Sequence, residues 1–144
     1  MSKEFDIKFG KKSENVVLEL LKTKFSDIQN TDKKNEFDFR SENGKIDLEL
    51  KTRNIYKGQY QTIFFGYNKL IEGRSRIENG TSKRIIYLFR FNSRKYKGKK
   101  VVYFWEDKGE CMKTIMCGNF QRNEEAKKLV NLDIKLLKPL KSLK

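Results

Sequence analysis

The sequence predicts a single α/β domain in which a mixed β-sheet is flanked by helices. Two short segments around Asn43-Gly44 alternate polar and apolar residues, a pattern typical of a β-hairpin. A helical pattern follows, and residues 84–91 are then almost continuously apolar, as in a strand buried on both faces. A helix between two such strands favours a right-handed crossover, which joins parallel strands.

The remaining elements follow from hydrophobic spacing. Residues 13–25 are predicted to form a helix with Ser13 as its N-cap, because apolar residues from Val17 to Phe25 recur at helical intervals. A short strand is expected near residues 27–30. The crossover helix is expected at residues 67–77, and further elements follow it: strands at 101–105 and 113–117, and a short helix around 124–130.

Composition indicates an anionic partner. The 144 residues include 33 Lys and Arg against 19 Asp and Glu, a formal net charge of +14, which favours nucleic acid. An AT-rich coding sequence could also enrich lysine, which supplies 25 of the basic residues. However, residues 1–72 hold 14 basic and 12 acidic side chains, whereas residues 73–144 hold 19 and 7. Codon bias would not obviously separate the charges in this way.

Several classes of chemistry are excluded by residue content. The chain has no histidine, which removes histidine general bases, Ser-His-Asp and Cys-His nucleophiles, and histidine-metal nucleases. Cys111 and Cys117 alone cannot build a four-ligand zinc site and are expected to be reduced. No apolar stretch approaches the roughly 20 residues that span a bilayer, so a soluble, intracellular protein without a membrane partner is expected.

The predicted hairpin places acids opposite each other. If Asn43-Gly44 forms the two-residue loop of a type I′ turn, the pairing continues until Asp38 lies opposite Glu49. One face then carries the apolar residues Phe37, Phe39, Ile46, Leu48 and Leu50. The other face carries Asp38, Arg40, Asp47, Glu49 and Lys51.

Opposed carboxylates repel each other unless a cation lies between them, and Mg²⁺ commonly takes one or two carboxylates together with water and phosphate oxygens. Lys51 lies on the same strand face as Glu49, so its ammonium can reach the same phosphate. There it can orient the attacking water or stabilise charge in the transition state. Glu14, on the apolar face of the first helix, is a candidate to turn inward toward a second metal or Lys51.

Asp38, ten intervening residues and then Glu49-Leu50-Lys51 resemble the PD-(D/E)XK signature of restriction-endonuclease-like nucleases. The resemblance covers residues 10–92, with Phe37 in place of the signature's proline. It implies an αβββαβ core, here followed by extra C-terminal strands and a short helix, and a site that uses Mg²⁺ or Mn²⁺. It implies the catalytic residues Glu14, Asp38, Glu49 and Lys51, and the metal ligands Glu14, Asp38, Glu49 and Leu50.

The first helix, from Gly10 through Glu14, is also similar to that of archaeal-type Holliday junction resolvases, and Glu49 to Thr52 resemble small restriction enzymes. The expected activity is a metal-dependent endonuclease acting on DNA, with a homodimer as a further expectation. Two alternatives stay open. One is a non-catalytic basic nucleic-acid-binding module, and the other is an RNA endonuclease with the same site.

Candidate nucleic-acid contacts lie in two regions. The basic loop 92–100 combines cations with one aromatic ring, which suits phosphates and an unpaired base, although a solvated hairpin tip would have the same composition. Further polar side chains flank the expected cleft. The predicted contacts are Gln61, Lys69, Arg74, Arg94, Lys95, Tyr96 and Lys97.

Overall fold

The structure, a computed structural model, describes residues 3–32, 37–117 and 127–144, with side chains from residue 12 onward. Within these ranges the chain forms two α-helices, a six-stranded mixed sheet and a three-stranded antiparallel sheet. The mixed α/β class is therefore confirmed. None of the described helices combines the length and apolar character needed to cross a membrane.

The helices and strands are numbered in chain order. The helices are α1 (Lys3–Leu21) and α2 (Tyr67–Glu78). The strands are β1 (Gln29–Asn30), β2 (Phe39–Ser41), β3 (Ile46–Arg53), β4 (Thr62–Gly66), β5 (Arg84–Phe91), β6 (Val101–Glu106), β7 (Thr114–Cys117), β8 (Lys127–Asp133) and β9 (Lys138–Pro139). Short 3₁₀ turns are formed by Arg94–Tyr96, Ile134–Leu136 and Leu140–Ser142.

The six-stranded sheet is organised around one parallel pair. Its strand order is β1-β2-β3-β5-β6-β9, and only β3 and β5 run parallel, through eight paired residues. Helix α2 lies in the crossover between them, as predicted, and β4 precedes it in the same connection. In the second sheet β8 lies between β4 and β7.

Strand β5 contributes to both hydrophobic clusters of the core, which explains its continuous apolar pattern. Ile86 and Leu88 pack toward α1, together with residues of β2, β3 and β6. Ile85, Tyr87 and Phe89 pack toward the other face, against α2 and the second sheet. On that side the Tyr87 ring stacks on Phe65 of β4, with a centroid distance of 4.4 Å.

Several local predictions were wrong. Helix α1 begins at Lys3, so Ser13 is a buried mid-helix residue and not an N-cap, and the helix ends at Leu21. Strand β4 was not predicted. The helix expected around residues 124–130 is a strand from Lys127 onward, because burial of Val130 and Leu132 follows the two-residue period of a sheet. Residues 124–126 of that prediction lie outside the described part.

The hairpin has the predicted register but a different turn. Arg40 lies opposite Asp47, as expected. A type I′ turn needs positive φ at both central residues, but here the positive φ, 51°, is at Lys45. A Cβ at Gly44 would lie 2.8 Å from Ile46 Cδ1, so a larger residue here would need the Ile46 side chain to shift.

The predicted apolar face of the hairpin also loses one member. A bend at residues 37–38 interrupts the strand before β2 begins, so Phe37 does not keep the alternation that places Phe39 toward α1. Phe37 instead packs in the cluster on the α2 side, with its ring 6.5 Å from that of Tyr87.

A buried ion-pair network joins β2, β3 and α2. Asp47 is fully buried, and its Oδ2 accepts hydrogen bonds from Arg40 Nη1 at 2.8 Å and Arg76 Nη1 at 3.1 Å. The Ser82 hydroxyl donates to the same oxygen. Loss of this carboxylate would leave two largely buried guanidinium groups without their shared partner.

We therefore expect Asp47→Ala to lower the free energy of unfolding by about 3–5 kcal/mol, because breaking a buried pair leaves an uncompensated charge. The matched control is Glu42→Ala, which removes the other acid bonded to Arg40. The Glu42 side chain is 78% exposed, so its loss should cost less than about 1 kcal/mol. Chemical denaturation measures the free energy of unfolding of both variants. Equal losses would contradict the conclusion that Asp47 stabilises the fold more than Glu42 does.

Candidate active site

Asp38 lies just before β2, and its hydrogen bonds to β3 fix its position. Its amide donates to the Leu48 carbonyl at 3.0 Å, and its Oδ2 accepts a hydrogen bond from the Leu50 amide at 2.8 Å. The backbone ladder begins only at Phe39, so the predicted backbone pairing of Asp38 with Glu49 is not formed. The carboxylate of Asp38 nevertheless faces the strand that carries Glu49 and Lys51.

Asp38 and Glu49 form a close pair of acids. Glu49 is only 4% exposed, and its side chain is within hydrogen-bonding reach of Asp38. Burial is the main reason that the pKa of Glu49 rises to about 8, and the hydrogen bond and negative charge of Asp38 raise it further. Nearby Lys51 and Lys69 lower the pKa and only partly offset these effects. At neutral pH the pair therefore favours binding a proton or another cation.

Lys69 is the second lysine at this site. Its Nζ lies 3.1 Å from Glu49 Oε2, although this buried oxygen makes no hydrogen bond of good geometry. The Lys69 carbonyl accepts a hydrogen bond of 3.0 Å from the Tyr87 hydroxyl, which ties the first turn of α2 to β5. Lys69 was predicted to contact nucleic acid, and its pairing with Glu49 was missed. The predicted crossover was the available signal, because it places the start of α2 near the end of β3.

Glu14 stays a predicted member of the site, and the contacts of its neighbour show how α1 lies against β3. The Oγ of Ser13, the residue before Glu14, lies 2.5 Å from Thr52 Oγ1 and 3.0 Å from Arg90 Nη1. By the strand period, Thr52 belongs to the face of β3 opposite Glu49. Among the described residues no three acidic or cysteine side chains gather as a metal-binding group. The acids that the structure places in contact are the Asp38–Glu49 pair, and Glu14 as a third ligand stays a prediction.

Leu50 contributes its main chain to the site. Its side chain is apolar, so only its carbonyl oxygen could bind a cation, and its amide donates a hydrogen bond to the Asp38 carboxylate at 2.8 Å. Its side chain packs beside the cluster on the α1 side. Leu50 as a ligand stays a prediction, whereas its contact with Asp38 is a feature of the site.

Arg74 has a structural partner. Its guanidinium makes a bidentate pair with Asp107, at 3.0 and 3.1 Å, and donates to the Glu110 carbonyl at 2.5 Å. These bonds use the group that was expected to contact nucleic acid. Gln61 is exposed, but its carbonyl accepts a hydrogen bond from the Ile134 amide and so helps to hold the second sheet.

The basic loop is partly structural. The Tyr96 hydroxyl accepts a hydrogen bond of 2.6 Å from the Lys57 amide, and its ring packs beside the core, so Tyr96 is not a free stacking surface. Arg94, Lys95 and Lys97 are exposed, as expected of phosphate contacts. Lys97 has a φ of 50°, which turns the loop back toward β6.

Comparison with known proteins adds no family to this geometry. The chain was compared with protein-family models, with curated protein sequences and with solved structures, and none of them matched. The function of the site is therefore inferred from its own geometry and charges.

The raised pKa of Glu49 gives an expected pH dependence of stability. Below its ordinary pKa of 4.5 the carboxyl is protonated in both the folded and unfolded chain, so it imposes no penalty. As the pH rises from 4.5 to about 8, the unfolded chain releases this proton while the folded chain retains it. Folding stability is lost across this window, and the loss is complete above it.

Glu49→Gln should therefore become more stable than the wild type as the pH rises from about 5 to 8, by up to a few kcal/mol, since each pKa unit corresponds to about 1.4 kcal/mol. Chemical denaturation in EDTA across this range measures the difference. Glu19→Gln is the control, because Glu19 is exposed on α1. If the difference in the free energy of unfolding between Glu49→Gln and the wild type does not change with pH, the pKa of Glu49 is not raised in the folded chain.

Proposed function

We propose that the protein is a metal-dependent endonuclease that hydrolyses phosphodiester bonds of nucleic acid, with DNA as the expected substrate. The observation that carries this proposal is the close Asp38–Glu49 pair, in which buried Glu49 has a pKa raised to about 8. Lys51 and Lys69 both lie near enough to act on that charge. Strongly perturbed acids beside such partners are typical of functional sites.

The fold is compatible with this proposal. Helix α1, strands β1 to β3, helix α2 and strand β5 follow one another in the order of the expected αβββαβ core, with β4 inserted before α2. The parallel pairing of β3 and β5 is the feature that a crossover in such a core requires. The second sheet, formed by β4, β7 and β8, is an addition to it.

The acid pair has the chemistry to hold Mg²⁺ or Mn²⁺. Both prefer hard oxygen ligands, and Mg²⁺ is commonly bound through one or two carboxylates. The buried Oε2 of Glu49 has no well-formed hydrogen bond, so Asp38 and Glu49 together present oxygen atoms whose charge is not fully compensated. When bound, the metal would supply Lewis acidity and lower the pKa of water at the reacting phosphate.

The two lysines have different expected roles. Lys51 follows Glu49 on the same strand face, where it would orient the attacking water and stabilise charge that develops on the phosphate. Lys69 comes from α2 and contacts Glu49 directly, so it partly neutralises the pair. When Glu49 binds the metal, the ammonium of Lys69 would be close enough to hold a substrate phosphate.

A cleavage assay distinguishes this proposal from its alternatives. Duplex DNA, branched DNA and RNA are each incubated with Mg²⁺, Mn²⁺, Ca²⁺ or EDTA. Cleavage of DNA only with Mg²⁺ or Mn²⁺ is the expected result, and cleavage of RNA alone would identify an RNA endonuclease. Binding without cleavage under every condition would favour a non-catalytic basic module, which the net charge of +14 also suits.

Metal binding should raise the melting temperature and depend on pH. A ligand that binds only the folded chain stabilises it, and here the metal must displace the proton of Glu49. The apparent affinity for Mn²⁺ should therefore increase as the pH rises toward about 8. Titration calorimetry in two buffers should detect proton release.

Asp38→Asn should weaken Mn²⁺ binding strongly, while the control Glu19→Gln should not. Equal Mn²⁺ binding by both variants would rule out the Asp38–Glu49 pair as the metal site.

Lys51→Ala should lower the cleavage rate roughly 10²–10³-fold, as does the loss of one group that stabilises transition-state charge. Substrate affinity measured in Ca²⁺ should change little, because the interaction is made mainly in the transition state. Lys51→Arg should not restore the full rate, since a guanidinium differs in shape and does not give up its proton.

The matched control for Lys51 is Lys83→Ala, which removes an exposed lysine just before β5, at the opposite end of the parallel pair. It should cut at the wild-type rate. If Lys51→Ala cuts normally while Asp38→Asn is inactive, the assignment of the lysine is wrong. If both cut normally, the hairpin is not the active site.

A further inference from the structure

We infer that the loops after β3 and β5, residues 54–61 and 92–100, form one binding platform for single-stranded nucleic acid. This names the substrate class as single-stranded or locally unpaired polynucleotide, and that assignment rests on the proposed function. The platform itself is defined by the position, charge and exposed rings of the two loops.

Position joins the two loops to each other and to the site. Because β3 and β5 are parallel, their carboxyl ends lie at the same edge of the sheet. The Asn92 amide donates to the Arg53 carbonyl at 2.8 Å, and the Lys57 amide donates to the Tyr96 hydroxyl at 2.6 Å. At about 3.3 Å per residue, the six residues from Glu49 to Ile55 span at most roughly 20 Å. A strand lying on the platform can therefore extend to the acid pair.

The charge of the platform is not compensated. No Asp or Glu occurs between residues 50 and 71 or between residues 79 and 105. In the part of the chain that the structure describes, the cations of the two loops make no ion pair with an acid, unlike Arg74 and Arg76 of α2. These cations are Lys57, Arg94, Lys95, Lys97, Lys99 and Lys100. They are available to phosphates.

Exposed aromatic rings provide the second element. Tyr60 is 59% exposed and Tyr56 is 36% exposed. The turn that carries Tyr56 is tight, with the Gln59 amide donating to the Tyr56 carbonyl at 3.1 Å and Gly58 at a φ of 92°, which a side chain would disfavour. Lys95 Nζ lies 4.3 Å from the centroid of the Tyr56 ring. The structure thus assigns the stacking role predicted for Tyr96 to Tyr56 and Tyr60.

Rings and cations together favour a single strand over a duplex. Cations bind the phosphates of either form, so charge alone gives little preference. An exposed tyrosine stacks on the face of a base, and in a duplex those faces are covered by neighbouring base pairs. The occupant that uses both features is an unpaired strand, with its phosphates on the lysines and its bases on Tyr56 and Tyr60.

The test is a binding measurement with the full chain in EDTA, so that no cleavage occurs. Fluorescence anisotropy compares a labelled mixed-sequence oligonucleotide of about 16 nucleotides as single-stranded DNA, as single-stranded RNA and as a blunt DNA duplex. Tyr60→Ala removes the ring, and Tyr60→Phe is the matched control that keeps it. The triple variant Arg94→Ala, Lys95→Ala, Lys97→Ala removes charge while both rings remain.

We expect Tyr60→Ala to weaken single-strand binding by roughly 5- to 150-fold, the range for loss of one stacked base, and to change duplex binding less than about twofold. Tyr60→Phe should bind like the wild type. The triple variant should lower the salt slope of single-strand binding by about 0.7 per lost phosphate contact. Comparison of the DNA and RNA arms identifies which sugar the platform prefers.

Equal affinity for duplex and single strand, or unchanged single-strand binding by Tyr60→Ala, would overturn the platform. Efficient metal-dependent cleavage of intact duplex that Tyr60→Ala does not alter would overturn the substrate class while the nuclease proposal stands. Tyr60-dependent single-strand binding without cleavage in any metal would support the platform and overturn the nuclease proposal.

Discussion

The parallel pairing of β3 with β5 is the constraint on which the other features depend. Parallel neighbours cannot be joined by a tight turn, so the chain must cross one face of the sheet, and α2 does this. Arg76 of α2 thereby reaches Asp47, and Lys69 reaches Glu49. The same pairing brings the loops after the two strands to one edge. The second lysine of the site and the shared edge of the two loops are thus consequences of the parallel pairing, whereas Asp38 is held against β3 by the hairpin.

Local patterns in the sequence were sufficient to predict elements whose residues follow a short repeat, such as the two-residue period of a strand. Alternation along residues 46–53 set the two faces of β3, and the apolar run at residues 84–91 indicated a strand buried on both sides. Ser13 shows where such signals fail. Its residue type is typical of an N-cap, but here it is buried within a longer helix and hydrogen-bonded to Thr52, 39 residues along the chain. Strand β4 was missed for a related reason, since its partner β8 begins 61 residues after it ends.

The candidate site also contains residues that local spacing predicts and residues whose partners depend on the whole fold. Glu49 and Lys51 could be predicted together because the strand period places them on one face of β3, and the hairpin register brought Asp38 near them although the ladder begins only at Phe39. The role of Lys69 could not be assigned from spacing alone, because it depends on how α2 crosses β3. Arg74 was predicted to contact nucleic acid, and its pairing with Asp107 was missed because the two residues are 33 positions apart and only the fold brings them together. Sequence shows that these side chains are charged, but which charges neutralise one another is decided by packing.

Two acids on β3 show why it matters for function whether a buried charge is neutralised by its neighbours. Asp47 and Glu49 are two residues apart on the same face of β3, and both are buried. Asp47 is bonded to two guanidinium groups and a hydroxyl, so its negative charge is more than balanced. Glu49 faces a second carboxylate and has one ammonium in direct contact, and the result is a pKa near 8. Two guanidinium partners offset the desolvation cost of a buried carboxylate, but a second carboxylate adds repulsion to that cost and destabilises the chain at neutral pH. The position of greatest electrostatic cost, and not the most highly charged surface, is therefore where a cation-dependent function is best sought.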